Sequence, residues 1–146
     1  MAKGASISGF PEWLPSERVV EQRVIDTLRK VFELNGFIGI ETRAVETGAS
    51  LLKKGETSKE IYLLSRLQEV GHESDTPIEE RLGLHFDLTV PLSRYVVEHS
   101  GALAFPFKRW QIQKVWRGER PQEGRFREFV QADIDVIGAG DRARPL

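Results

Sequence analysis

The chain has 146 residues, of which 40% are hydrophobic, and this length and composition suit one globular domain. With 21 basic and 22 acidic residues its net charge is −1, which excludes a protein whose overall positive field attracts nucleic acid. The absence of cysteine excludes disulfides and thiolate zinc sites, and the sequence has no run of about 18 apolar residues, as a membrane span requires. We therefore expect a cytoplasmic protein without membrane contact, in which any binding site for phosphate or nucleic acid is local.

The first predicted element is a helix over residues 16–35. Its apolar residues recur at helical spacing, Ser16 can cap its start, and Gly36 lies where a glycine commonly ends a helix. A short strand is expected within residues 37–42, because this run (FIGIET) is apolar and β-branched. Residues 46–60 predict a loop with one helical turn.

Between residues 61 and 101 the pattern changes twice. Residues 61–67 predict a strand, residues 68–80 an exposed acidic loop, and an extended segment resumes at residue 81. From Thr89 the spacing is helical, with Pro91 in the first turn and Gly101 after the end. Either Thr89 or Asp87 can cap this helix.

Two extended segments, residues 107–117 and 126–137, predict a hairpin with a long charged connection. Alternation in the second strand separates an apolar face, expected to be the core, from a polar face, expected to be wet. The apolar face holds Val130, Ala132, Ile134 and Val136. If the strands pair with their polar faces together, the sheet offers Arg117, Gln131 and Asp135 to one ligand.

The connection between these strands lies in a stretch with four arginines, WRGERPQEGRFREFVQAD (residues 116–133). A charged loop is most often a set of solvated salt bridges. Alternatively, its guanidinium groups bind phosphate oxygens in the bidentate geometry that arginine favours, while the acceptors of the polar face bind a small zwitterion or cation. The polar flanks favour this second interpretation. The three histidines lack the spacing of metal ligands, so no metal site is assigned.

Three ordered blocks resemble the class II aminoacyl-tRNA synthetases, specifically the histidyl-tRNA synthetase family. WRGERPQEGRFREFVQADIDVIG (residues 116–138) resembles motif 2, which spans about 110–138. GLHFDLTVPLSRYV (residues 83–96) resembles the segment upstream of it, and residues 9–46 resemble the motif 1 region, about 11–46. The resemblance covers about residues 9–138, and three blocks in the right order are far more specific than one charged loop.

This resemblance implies an α+β fold, with an antiparallel sheet flanked by helices. It implies that residues 1–146 form the N-terminal part of a class II catalytic domain, truncated before motif 3 and the anticodon-binding domain. In that family motif 1 builds the contact of a homodimer. Because the later segments of the family supply further ATP and histidine contacts and most of the tRNA recognition, we expect a chain of this extent to have little or no activity alone.

The implied activity is that of a histidine–tRNA ligase. Such an enzyme uses ATP with Mg²⁺ to convert histidine to histidyl-adenylate and transfers histidine to tRNA(His). The alternative within the fold is a catalytically silent paralogue that binds histidine as regulatory subunit of ATP phosphoribosyltransferase; such proteins tend to lose the ATP-contacting arginines that this chain keeps. A plain interaction or RNA-binding module is a third possibility, which the near-zero charge does not favour.

The resemblance also implies roles for individual residues. Arg117 is the catalytic residue, since it grips the α-phosphate and the substrate carboxylate, where charge develops. The predicted ATP-binding residues are Arg117, Glu119 on the adenine amino group, Arg125 on the γ-phosphate, and Phe129 stacked on adenine. The predicted histidine-binding residues are Asp87 and Thr89 on the α-amino group, Arg117, Gln131 and Asp135. Arg120 and Arg127 are not assigned to one role; contact with ATP, contact with tRNA and structural pairing remain open for both.

Overall fold

The computed structural model describes residues 6–53, 59–69 and 76–138. The N-terminal half contains α1 (Pro15–Leu34), β1 (Ile38–Gly39), β2 (Val45–Thr47) and α2 (Gly48–Leu52), followed by a 3-10 turn at Leu67–Glu69. The C-terminal half contains β3 (Leu82–Leu84), α3 (Thr89–His99), β4 (Phe107–Trp116) and β5 (Glu128–Ile137). No helix among these residues is both long enough and apolar enough to cross a membrane.

Helix α1 confirms the predicted helix to within one residue at each end, but its predicted cap is wrong. The helix begins at Pro15 after the N-cap Leu14, because proline at the first position fixes the helical φ angle and has no N–H to satisfy. The Glu17 carboxylate accepts the Leu14 N–H at 2.9 Å, so the side chain that stabilises the start of the helix is that of Glu17 and not that of Ser16. The helix ends as predicted, with Gly36 at a φ of 77°.

Strands β4 and β5 form the predicted hairpin. They pair antiparallel over ten residues each, from Phe107 opposite Ile137 to Trp116 opposite Glu128. Strand β1 joins the other edge of β4 and runs parallel to it, which gives the sheet order β1-β4-β5. The strand expected within residues 37–42 is only two residues long. The Ile40 N–H still bonds to the Trp110 carbonyl of β4 at 3.0 Å, but the Thr42 N–H bonds to the Gln113 side chain at 3.3 Å.

A second, smaller sheet precedes the hairpin. Strands β2 and β3 pair antiparallel, from Val45 opposite Leu84 to Thr47 opposite Leu82. The strand predicted over residues 61–67 is wrong in its extent, since only an isolated bridge joins Leu63 to Gly83. Helix α2 is the expected helical turn, and part of its predicted loop, residues 54–58, lies outside the described residues.

The burial of the hairpin faces reverses the prediction. The face expected to be the core leaves Ile134 47% and Val136 50% exposed, whereas Arg109 and Gln111 on the polar face are fully buried. Thr42 covers part of that polar face and bonds to the Gln111 and Gln113 side chains. Sequence alternation shows that two faces differ, but distant parts of the chain decide which face they cover.

Candidate functional site

Arg117 follows the last residue of β4 and is fixed by two aromatic rings and two hydrogen bonds. Its guanidinium carbon lies 4.5 Å from the ring centre of Phe86 and 5.0 Å from that of Phe129, which are cation–π distances. Its Nε donates to the Phe86 carbonyl and its Nη2 to Gln131 Oε1, each at 3.3 Å. A guanidinium carries five N–H donors, so these two bonds leave others for an anion.

Gln131 is oriented from both ends of its amide. Its oxygen accepts the bond from Arg117, and its Nε2 donates to both carboxylate oxygens of Asp133, at 3.1 and 2.9 Å. The donors on one side and the acceptors on the other determine which way the amide faces. Gln131 therefore presents a fixed pattern of donor and acceptor beside Arg117.

The polar faces of β4 and β5 coincide, as the hairpin interpretation required. Directly opposed pairs are Gln113 with Gln131, Gln111 with Asp133, and Arg109 with Asp135. Arg117 and Gln131 are brought into contact, whereas Asp135 lies about 13 Å further along β5, four residues at the usual rise of a strand. Asp135 is there ion-paired with Arg109, whose Nη2 is 2.5 Å from Asp135 Oδ2.

Asp87 caps helix α3. Its Oδ1 accepts the N–H groups of Thr89 at 3.2 Å and Val90 at 3.3 Å, and the residue is only 4% exposed. The capping interpretation of Asp87 is confirmed, while Thr89 is the first residue of the helix and not its cap. Asp87 adjoins Phe86, whose carbonyl and ring both contact Arg117, so the start of α3 is next to the guanidinium group.

The charged connection between β4 and β5 is folded on itself. Glu119 and Arg125, the two residues predicted to contact opposite ends of ATP, form an ion pair with each other. Hydrogen bonding from Arg125 lowers the pKa of Glu119, burial opposes this, and the charges of Arg125 and Arg117 reinforce it. Arg127 donates from Nε to the Glu119 carbonyl at 2.9 Å, and its backbone N–H bonds to the Gly9 carbonyl at 2.7 Å. Arg127 therefore has a structural role.

Sequence reasoning missed two groups of residues. Arg109 was not assigned, although its odd number places it on the same face as Gln111 and Arg117. On the opposite face, Glu128 accepts bonds from Lys114 Nζ at 2.5 Å and Trp116 Nε1 at 2.7 Å. Burial alone would raise the pKa of Glu128, but these two bonds together lower it. The alternation could have revealed the first group; nothing in the sequence signals the second.

A cavity of about 340 Å³ lies on that opposite face, between the start of α1 and the hairpin. Arg18, Glu21, Lys114 and Val130 are among its lining residues, and Phe129 is the only predicted site residue that reaches it. Arg117 and Gln131 are not among the residues that line this cavity. Among the described residues no three His, Asp or Glu side chains are grouped so that they could hold a metal ion.

Comparison with known proteins places this arrangement in a family. No protein-family profile matches the chain. A histidine–tRNA ligase of Bifidobacterium animalis subsp. lactis is 93% identical over 140 residues, which are 96% of this chain and 30% of that relative. A histidine–tRNA ligase of Micrococcus luteus is 65% identical over 147 aligned residues, covering 96% of this chain and 32% of the relative. The chain belongs to the histidyl-tRNA synthetase family. It spans about 30% of the length of these curated relatives.

Solved structures agree with this family and confirm the predicted fold class. A histidyl-tRNA synthetase from Nostoc sp. PCC 7120 superimposes with a TM-score of 0.74 at 44% identity, over 92% of this chain and 28% of that structure. An ATP phosphoribosyltransferase regulatory subunit/histidyl-tRNA synthetase from Bacillus halodurans gives a TM-score of 0.76, but at 21% identity it shows the fold alone. The chain thus has an α+β fold of the class II synthetase type.

Proposed function

We propose that this segment of a histidyl-tRNA synthetase supplies part of a histidine–tRNA ligase active site. The reaction converts histidine and ATP to histidyl-adenylate and then transfers histidine to tRNA(His). The observation that carries the proposal is the fixed guanidinium of Arg117, which is placed between two aromatic rings and bonded to Gln131 on a polar sheet face. The regulatory-subunit alternative is not favoured, because the 93% identical relative is a ligase.

Arg117 is the proposed catalytic residue. In adenylation a carboxylate oxygen of histidine bonds to the α-phosphorus, and the bond to the pyrophosphate oxygen breaks as pyrophosphate leaves with the electron pair. Negative charge builds on the phosphoryl oxygens, and a guanidinium that is already fixed stabilises this charge without reorganising. The bonds to the Phe86 carbonyl and to Gln131 provide that fixation.

The rest of the ATP site is proposed to be Glu119, Arg125 and Phe129. Since Glu119 and Arg125 are paired with each other, both must exchange this partner before they contact the adenine amino group and the γ-phosphate. Phe129, whose ring already contacts Arg117, would stack on adenine. Mg²⁺ would enter with the phosphates of ATP, because this ion usually keeps substrate oxygens and water among its ligands.

The histidine site is proposed to begin at helix α3 and to extend along β5. Asp87 and Thr89 would hold the α-amino group, and Arg117 the carboxylate. An ionised carboxylate accepts several hydrogen bonds, so the cap bonds at Asp87 Oδ1 are compatible with a contact to an ammonium group. Gln131 and Asp135 would bind the imidazole, and a ligand that leaves these polar groups unpaired would be rejected.

The partners follow from the same proposal. We infer a homodimer that forms through the motif 1 region, about 11–46. Motif 2, at about 110–138, would contribute to the active site, with tRNA(His) as a substrate and the cytoplasm as the location. The support for the homodimer is apolar surface in the motif 1 region, where helix α1 exposes Val20, Val24 and Val31. Apolar patches of this kind commonly mark contacts between proteins.

The test is calorimetric titration of this chain with ATP and Mg²⁺, and separately with an unreactive histidinol adenylate analogue. The variant Arg117→Ala is compared with Arg23→Ala, a control because Arg23 is an exposed arginine of helix α1 with no proposed ligand role. We expect both ligands to bind the wild type and the control, and binding to be lost in Arg117→Ala. Equal affinity of the two variants would contradict the proposed role of Arg117.

A further inference from the structure

A buried positive charge lies at the far end of the polar face. Arg109, from β4, is fully buried and stands opposite Asp135 in the hairpin register. Its Nη2 is 2.5 Å from Asp135 Oδ2 and 3.9 Å from Asp133 Oδ2, and its Nη1 donates to Gln111 Oε1 at 3.3 Å. Two carboxylates of β5 thus surround one guanidinium group.

Burial makes this pairing obligatory. A guanidinium group without water must have a counter-charge, and arginine does not lose its proton in proteins. Burial lowers the pKa of Arg109, and the charges of Asp135 and Asp133 oppose that shift. Among the described residues, Nε and Nη2 have no hydrogen-bond acceptor, so the contact of Nη2 with Asp135 Oδ2 is an ion pair and not an aligned hydrogen bond.

The contact with Arg109 involves one carboxylate oxygen of Asp135 and leaves part of this side chain accessible. Arg109 engages Oδ2, whereas the Asp135 side chain is 45% exposed. A carboxylate held at one oxygen, on a hairpin of two ten-residue strands, presents its other oxygen in a fixed direction. Such an oxygen is only an acceptor, so it recognises a ligand that donates an N–H group.

We propose that Arg109 is a positioning residue of the histidine site, which holds Asp135 as a fixed acceptor for an imidazole N–H and so sets the preference for histidine over rings without that donor. This inference rests on the proposed function, in which Asp135 faces the bound ring. Arg109 does not touch the ligand. It acts through Asp135.

Asp133 extends the same control to Gln131. It accepts both bonds from Gln131 Nε2 and lies 3.9 Å from the Arg109 guanidinium. The charge of Arg109 therefore keeps two neighbouring carboxylates together on one strand face, one of which orients the amide beside Arg117. A purely structural role, neutralising these two charges, would weaken all ligands alike, and this difference makes the inference testable.

The experiment measures binding of two probes to this chain by calorimetry, at about pH 8, where an imidazole ring is neutral. The probes are L-histidine and 3-(4-thiazolyl)-L-alanine, whose ring has the same size but no N–H group. We expect the wild type to prefer histidine. Arg109→Gln should weaken histidine binding by about tenfold, as loss of one well-placed hydrogen bond to a charged group does, and leave the affinity for the thiazole almost unchanged.

Three further variants make the test specific. In an Asp135→Asn background, Arg109→Gln should cause no further loss of preference, because the two residues act as one unit. Arg109→Lys, which keeps the charge, should retain part of the preference. Lys114→Gln, on the opposite face of the hairpin, is the control and should retain all of it.

Different outcomes separate this inference from the proposed function. A wild type that does not bind histidine overturns the proposed function. A wild type that prefers histidine, with Arg109→Gln preferring it equally or losing both probes to the same degree, overturns the inference alone. A ligand-free measurement judges it independently: three-bond couplings should show one Asp135 rotamer in the wild type and averaging in Arg109→Gln. If Arg109→Gln does not fold, Arg109→Lys is judged by the same couplings, and an unchanged preference together with an unchanged rotamer refutes the inference.

Discussion

Asp87 is predicted to have two separable roles, as helix cap and as partner of the histidine ammonium group. Asparagine caps helices as well as aspartate does, so Asp87→Asn should keep the bonds to the Thr89 and Val90 N–H groups. Its free energy of unfolding should therefore fall by less than about 0.5 kcal/mol. Asp87→Ala removes the cap and should lower it by about 1 kcal/mol.

The same variant, Asp87→Asn, should lose much of its affinity for histidine although it loses little stability. A hydrogen bond to a charged group contributes about 1.5–3 kcal/mol, and Asp87→Asn should lose the whole of this contribution to the histidine ammonium group. The loss corresponds to about a 10- to 150-fold higher Kd for histidine. In Asp87→Asn the amide nitrogen also turns toward the ligand, since the amide oxygen is needed for the cap.

Urea unfolding monitored by circular dichroism gives the first quantity, and calorimetric titration with histidine gives the second. The reasoning requires Asp87→Asn to be nearly as stable as the wild type yet clearly weaker in binding. If Asp87→Asn binds histidine as tightly as the wild type, while only Asp87→Ala is impaired, Asp87 is a cap and nothing more.

Three other predictions concern stability and association. The folded pKa of Glu119 lies below its unfolded value, so its pairing with Arg125 stabilises the fold above about pH 4.3, and this stabilisation is lost as pH falls through the folded pKa. The urea midpoint of Glu119→Gln should therefore depend less on pH in that acidic range than the midpoint of the wild type. An equal pH dependence in both proteins would contradict this prediction. Glu46→Gln should cost about 3 kcal/mol in urea unfolding, because Glu46 is buried and bonded to Arg94 Nε at 2.8 Å; a loss below about 1 kcal/mol would show the pair to be unimportant. Val24→Lys, on the exposed apolar face of α1, should reduce self-association in sedimentation velocity with little change in stability, and unchanged association would exclude this face from the contact.

Local patterns in the sequence predicted the elements that depend on local physics. Helix α1 follows from its apolar spacing and Gly36, and the hairpin follows from two alternating segments whose polar faces had to coincide. The contact of Arg117 with Gln131 then depends only on strand register. The ligand roles of these residues remain predictions.

Non-local packing explains what the sequence did not predict. The buried face of the hairpin is the polar one, because Thr42, nearly 70 residues away, bonds to Gln111 across it. Alternation places Arg109 on the polar face, but its full burial depends on the same non-local packing and has no local signal in the sequence. The segment expected to be a strand from residue 61 forms only an isolated bridge, between Leu63 and Gly83 of β3, and its apolar pattern gives no sign of how far this pairing extends.

The strict pairing of β4 and β5 restricts how such a chain can change length. The connection between them can gain or lose residues without altering which groups meet on the sheet. An insertion of one residue inside β5 would instead turn its following side chains over, and aliphatic groups such as Ile134 and Val136 would replace the carboxylates. Insertions and deletions among functional homologues should therefore occur in the connection and be missing from the ladder.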